Sequence, residues 1–235
     1  MIHICKEKYD EWYFYDSCRK FISEIEFVYN SYENNIKDIY DSPSNEAYKY
    51  VDYLKHNLQE LESFYPDDVE LEIQGKGQER YYFVLNMKYR SLAMYINLIY
   101  QMLEQFLMGI CKFQQEYHTG DPYIKNLPLD SFNQCIKMFD EYNFEIKKLN
   151  IYDKIDELRL LQNVLKHSEG ESKEKLIKKR PDLFIKKDSI FAMYKNTIID
   201  ATLNISEDDL KDYVCAIKEF LYLLTDKLIH KYNSV

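Results

Sequence analysis

Apolar residues recur along most of the chain at helical intervals. From about Asp10 to Tyr40, Phe14, Cys18, Phe21, Ile25, Val28, Tyr32 and Ile39 fall three, four or seven positions apart, which places them on one face of a helix. After Pro43 a second helix is expected, with Ser44 as its cap and Tyr48, Val51, Leu54, Leu58 and Leu61 turned inward. FYPDD stops it. Between 66 and 82 the rhythm changes, because Val69, Leu71 and Ile73 alternate with acids and QGKGQ holds two of the five glycines. That pattern predicts a small hairpin or irregular loop.

From Tyr82 to Tyr117 the spacing predicts one long central helix with the apolar stripe Leu92, Ile96, Ile99, Leu103, Phe106, Ile110 and Phe113, closed by HTGDP. Two shorter helices follow, Asp130 to Lys147 and Tyr152 to His167. Residues 168 to 205 read as mixed: SEGES ends a helix, SKEKLIKK forms a short one, Pro181 breaks it, and Ile199, Ala201, Leu203 and Ile205 alternate as in a strand. Ser206 then caps a last helix with Asp208 and Asp209 in its first turn. Its residues Leu210, Val214, Ile217, Leu221, Leu224 and Leu228 step by four and three, the seam of a helix packed on a neighbour in the same chain or in a partner.

Composition supports an all-α reading. Five Gly and five Pro in 235 residues leave little material for tight turns, against average usage of roughly 7% and 5%, so sandwiches, barrels and Gly-looped nucleotide folds are disfavoured. With 31 Lys and Arg against 40 Asp and Glu the net charge is −9, which excludes bulk affinity for nucleic acid and leaves only a local patch. The stretch from Leu98 to Cys111 is the richest in apolar residues, and Gln101, Glu104 and Gln105 interrupt it; together with the charged start MIHICKEKYDEW, this predicts a soluble cytoplasmic protein without a membrane role. Cys5, Cys18, Cys111, Cys135 and Cys215 are odd in number, widely spaced and free of CxxC pairs, a pattern of reduced buried thiols.

The common signatures of phosphate loops, dinucleotide folds, zinc proteases and serine hydrolases do not occur, and no metal or cofactor is expected. Glu60 with Glu62, and Asp208 with Asp209, read as solvated faces or caps. His3, His56, His118 and His230 read as surface residues. The exception is DELRLLQNVLKHSEG. Projected at about 100° per residue, Ile151, Ile155, Leu158, Leu161 and Leu165 share one face while Leu160 and Val164 lie opposite, so this helix is expected to be covered on two sides. Along one flank run Arg159, Asn163, Lys166 and His167, with Arg159, Asn163 and His167 on successive turns.

Such a stripe suits a phosphodiester. Imidazole titrates near neutrality, so His167 is fit for general acid or base work on a ribose hydroxyl or leaving oxygen; Asn163 orients the ring or bonds the phosphate, and Arg159 offers paired donors to phosphate oxygens. An alternative stays open: Arg159 pairs with an acid on a facing helix, Asn163 is a satisfied core amide, and His167 sits at a helix end because the dipole favours it there.

The segment LRLLQNVLKHSEG, followed by a Ser/Lys stretch and KRPDLF, resembles the signature region of HEPN domains, in particular microbial members with an Asn-x-x-Lys-His core followed by a Gly. YRSLAMYINLIYQMLEQFL, with Arg90 early and Glu104 mid-helix, is similar to their preceding core helix. The resemblance covers 82 to 232. It implies a HEPN-like helical bundle with long antiparallel helices. The chain is thus expected to comprise an N-terminal helical region, 1–81, outside the resemblance, packing on a HEPN-like domain, 82–235, with the small irregular or hairpin insertion read from the residue pattern.

The same resemblance implies a homodimeric, metal-independent endoribonuclease serving as a toxin or effector in antiviral defence, with RNA as substrate and an antitoxin or other defence-complex protein as a further partner. His167 matches the catalytic His and Asn163 the polar residue that follows the motif Arg. The Arg itself is replaced by Gln162, which carries no charge. Arg159 lies one turn upstream of it, eight residues from His167 in register and about 12 Å along the helix. A catalytically degenerate scaffold that binds RNA or protein therefore stands beside the nuclease. Gln162, Lys166, Lys178 and Lys179 are the accompanying substrate-binding candidates, the last two in the basic run KEKLIKKRPDLFIKK from Lys173 to Lys187.

Tyrosine occupies 23 of 235 positions, in clusters such as Tyr13 and Tyr15, Tyr48, Tyr50 and Tyr53, or Tyr81 and Tyr82. Packing with the hydroxyl at the rim accounts for most of them; stacking of bases or anchoring of an interface is the other use.

Overall fold

With so few helix breakers, the chain makes long helices. The computed structural model describes residues 2–40, 42–61, 65–118, 128–141, 144–167, 170–184 and 203–232. Within these the protein is all-α: α1 (Ile2–Asn35), α2 (Pro43–His56), α3 (Pro66–His118), α4 (Phe132–Glu141), α5 (Tyr152–His167), α6 (Glu171–Lys179) and α7 (Glu207–Tyr232), with short 3-10 turns between some of them. Extended pairing among the described residues is confined to one isolated antiparallel bridge between Phe184 and Leu203. The strand expected over 199 to 205 is thereby reduced to Leu203, and Ile199 and Ala201 lie outside the described residues.

The region from 66 to 82 corrects the hairpin expectation, since α3 runs through it without a break from Pro66 to His118. Pro66 suits the first helical position, where its missing N–H costs nothing, and the Tyr65 carbonyl accepts from Val69 N at 2.9 Å. The alternation that looked strand-like is a helical one. Val69 is half-buried and Ile73 buried, four residues apart, while Leu71 between them is 67% exposed. The glycines do not turn the chain either. Gly77 allows close approach of α2, because a Cβ there would stand 2.5 Å from Val51 Cγ2.

The chain divides into two compact units, 1–29 with 95–235, and 30–94. The divisions fall inside α1 and α3, whereas the expected boundary lay at 81/82. In the unit of 30–94, Tyr32, Leu54, Ile73, Val84 and Leu92 are buried. Ser42, rather than Ser44, caps α2: its hydroxyl accepts from Asn45 N at 3.4 Å, and Pro43 takes the first helical position. Of the five residues expected to face inward from this segment, Leu54 is buried, whereas Tyr48 is 73% exposed and Leu58 lies outside the core.

In the larger unit the core is built by stacked stripes. Phe14 meets Phe113 edge-on at 5.4 Å, and Phe21 stacks on Phe106 at 4.4 Å, joining α1 to α3. Phe132, Cys135, Ile136, Met138 and Phe139 bury one face of α4. The seam Leu210, Val214, Ile217, Leu221, Leu224 and Leu228 is buried in the single chain, so it is an intramolecular one; Thr225 Oγ1 donates to Cys18 Sγ at 2.8 Å and Lys218 pairs with Glu26, both on α1. Cys18, Cys111 and Cys135 are buried free thiols, and Cys215 is exposed.

The final helix starts where the sequence places it. Ser206 Oγ accepts from Asp209 N at 3.2 Å, and the Asp209 carboxylate accepts from Ser206 N at 2.9 Å and from Ser206 Oγ at 2.6 Å. This reciprocal arrangement satisfies backbone donors that the first turn leaves unpaired.

Candidate functional site

Helix α5 occupies 152–167 as its periodicity predicts, and it is covered on both sides: Ile155, Leu158 and Leu161 are buried on one, Leu160 and Val164 on the other. Gln162 belongs to that covered part, at 2% exposure. Asn163 is half-buried, and Lys166 and His167 are exposed on the last turn. Gly170, which the sequence marks as the end of this helix, works instead at the start of the next. It holds φ +112°, a conformation that glycine adopts without a steric penalty, and its carbonyl accepts from Lys173 N at 3.0 Å.

Arg159 does not point freely from the stripe. Its Nε and Nη2 both donate to Asp156 Oδ1, at 3.0 and 2.6 Å. The other oxygen of Asp156 lies 3.1 Å from Lys179 Nζ at the end of α6, and Lys179 also reaches Asp153 Oδ1 at 3.2 Å. The acid that pairs with Arg159 is thus on its own helix, one turn back, and the neighbouring helix supplies a second cation rather than the acid. Burial pushes the Asp156 carboxyl up, but Arg159 and Lys179 together outweigh it and hold the group below the usual aspartate range. Burial likewise opposes the charge on Lys179, while Asp156 and Asp153 stabilise it and raise its pKa.

Of the predicted residues the fold therefore brings Arg159 and Lys179 together on Asp156, and leaves Lys166 and His167 accessible at the end of α5. Lys178 is exposed on α6. Lysines 186 and 187 of the basic run lie outside the described residues. Glu104, mid-helix in α3, accepts from Phe132 N at 2.9 Å and so caps α4.

A second polar cluster, which the sequence reading missed, stands beside this one. Arg180 Nη1 donates to Glu157 Oε1 at 2.8 Å, its Nη2 to Asp209 Oδ1 at 2.9 Å, and its Nε to both oxygens of Asp182 at 2.9 and 3.0 Å. Glu157 Oε1 also accepts from Lys154 Nζ and from the Tyr213 hydroxyl, each at 2.8 Å, and the Lys154 ammonium sits 4.7 Å from the Tyr213 ring centroid. Asp182 and the other acids hold the guanidinium firmly charged. Burial, and then the Glu157 charge, raises the Tyr213 phenol. Lys179 and Arg180 thus tie the end of α6 to α5 and α7. The available signal was the pair Asp156 and Glu157 on a helix covered on two sides, since carboxylates drawn into a covered surface need cations.

Comparison with protein-family models, with curated proteins and with solved structures gives no match. Among the described residues no helix is long and apolar enough to cross a membrane.

Proposed function

We propose that this chain is a HEPN-like endoribonuclease that acts on single-stranded RNA without a metal, as a toxin or effector in antiviral defence, with His167 as general acid and base. The observation that carries the reading is the exposure of His167 and Lys166 on the last turn of an otherwise covered helix, where an imidazole is open to a substrate and a cation stands next to it. Exposed Lys178 on the following helix adds charge for a phosphate backbone. Two copies of His167 facing one another across a homodimer would complete the site. In EDTA the purified protein should cut RNA and leave cyclic phosphate ends, and His167→Ala should abolish cutting. Undiminished cleavage by that variant overturns the assignment.

A second reading, a scaffold that binds RNA or a partner without cutting it, is favoured by Gln162. Its side chain lies in the covered part of α5, so the position that carries the motif Arg in the resembling family presents no charge here. Gln162→Arg is a poor test for the same reason, because it would bury a guanidinium with no acid prepared for it. Comparing RNA affinity with RNA cleavage in the unaltered protein separates the two readings: binding with intact RNA selects the scaffold.

A further inference from the structure

One carboxylate, Asp156, holds two cations, Arg159 of α5 and Lys179 of α6. Arg159 gives it two donors on one oxygen and Lys179 gives one on the other, at 3.0, 2.6 and 3.1 Å. A phosphodiester offers the same chemistry: two anionic oxygens on one atom, suited to the fork of a guanidinium and to an ammonium. The pair is not sealed in the core, since the side chains of Arg159, Asp156 and Lys179 retain 17%, 20% and 34% exposure. Lys179 does not depend on Asp156 for its whole coordination. It also keeps Asp153 Oδ1, at 3.2 Å, and Arg159 stays partly open to solvent.

We propose that Arg159 and Lys179 form a phosphodiester-binding site and that Asp156 is its built-in competitor, occupying the place of the phosphate until an RNA backbone displaces it. The proposal rests on the reading that this protein engages RNA, and it adds both the residues that grip the backbone and the residue that weakens the grip. The competition accounts for how an acidic chain carries a local RNA site without general affinity for nucleic acid: the two cations are neutralised unless a correctly placed phosphate takes both at once.

The test is fluorescence anisotropy of a labelled 2′-O-methyl oligoribonucleotide, which cannot be cleaved through its 2′ oxygen, titrated with the full chain over a range of salt. Asp156→Asn should bind about tenfold more tightly than the unaltered protein at low salt, with a dependence on salt steeper by about one phosphate contact. Adding Arg159→Gln to Asp156→Asn should remove the gain. Asp226→Asn removes an exposed carboxylate of α7 that is no partner of either cation, and should leave affinity within about twofold of the unaltered protein.

An equal gain from Asp226→Asn would mean that net charge alone matters and would overturn the proposal. So would unchanged affinity in Asp156→Asn with circular dichroism showing α-helix intact, which would leave Asp156 as a tie between α5 and α6 while the RNA reading stands. Absence of binding by both the unaltered protein and Asp156→Asn would overturn the RNA reading along with it.

Discussion

The hydroxyl of Tyr213 donates to Glu157 at 2.8 Å across a sequence separation of 56 residues, inside the packed contact of α7 with α5. The same carboxylate oxygen takes Arg180 and Lys154, so one buried acid satisfies three donors from three parts of the chain. Tyr213→Phe removes a single donor and keeps the ring, and should lower unfolding stability by about 1–2 kcal/mol. Glu157→Ala takes the acceptor from Tyr213 and Lys154 and one of three acids from Arg180 at once, and should cost about 2–4 kcal/mol. Urea unfolding monitored by circular dichroism gives both, as shifts of midpoint at unchanged slope. Equal losses in the two variants would contradict the central position of Glu157.

Asp209 contributes to the response to acid. Burial raises its carboxyl, but the Ser206 hydroxyl and amide, with Arg180, prevail and hold it below the usual aspartate range. Asp156 is depressed in the same way by Arg159 and Lys179. An aspartate in the unfolded chain titrates near 3.9, so as pH falls the unfolded state takes up protons before the folded state does. The stability these two acids contribute is therefore complete above about pH 5 and lost progressively as pH falls through 4 and then through their folded values. The urea midpoint should hold steady from pH 7 to 5 and drop between 5 and 3. Asp209→Asn should start lower at pH 7 and drop less over the acid range. A parallel decline in variant and parent would show that Asp209 is not among the groups responsible.

Part of this architecture is legible in the residues alone. Helix α5 and the start of α7 follow from signals that are local: apolar spacing on two faces for one, and Ser206 with Asp209 three residues on for the other. The seam from Leu210 to Leu228 is legible as a packed surface. The partners of charged residues are not, because Arg180 lies 23 residues from Glu157 and 29 from Asp209, and nothing in a run such as KKRPD distinguishes a solvated lysine from one held by two acids. Thus the stripe of Arg159, Asn163 and His167 was visible as a row, while the pairing of Arg159 with Asp156 was not. The error at 66–82 has a different origin. Alternation over five residues fits a strand and one turn and a half of helix equally well, and of the two glycines there Gly77 serves packing rather than turning while Gly75 sits in open space.

Ser206 should matter through its reciprocal bonds with Asp209. Ser206→Ala removes the acceptor for Asp209 N and one donor to the Asp209 carboxylate, and should lower stability by about 1 kcal/mol, within the range of such caps. Ser206→Asp keeps an acceptor for the amide but sets a second negative charge against Asp209, so it should not restore the parent midpoint. Thermal unfolding of the two variants checks this; a rescue by aspartate would mean that only the cap, and not the bond to the carboxylate, is in use.

Gly75 and Gly77 lie on the same helix two residues apart and should respond to alanine with opposite signs. At Gly75 a Cβ meets nothing within 4 Å. There the substitution brings only the gain in helix propensity and the loss of unfolded-chain freedom, about 0.5–1 kcal/mol of added stability. At Gly77 the same Cβ would stand 2.5 Å from Val51 Cγ2, closer than carbon atoms approach, so α2 must shift or Val51 must leave its rotamer. Overpacking of that kind costs about 1–3 kcal/mol, more than the propensity returns, and Gly77→Ala should be destabilising. Shortening the opposing side chain relieves the clash, so Val51→Ala combined with Gly77→Ala should be more stable than the sum of the two single changes, a positive coupling that a double-mutant cycle reads directly. If Gly77→Ala raised the melting temperature as Gly75→Ala does, the glycine would have no packing role and the close approach of α2 to α3 at this point would be refuted.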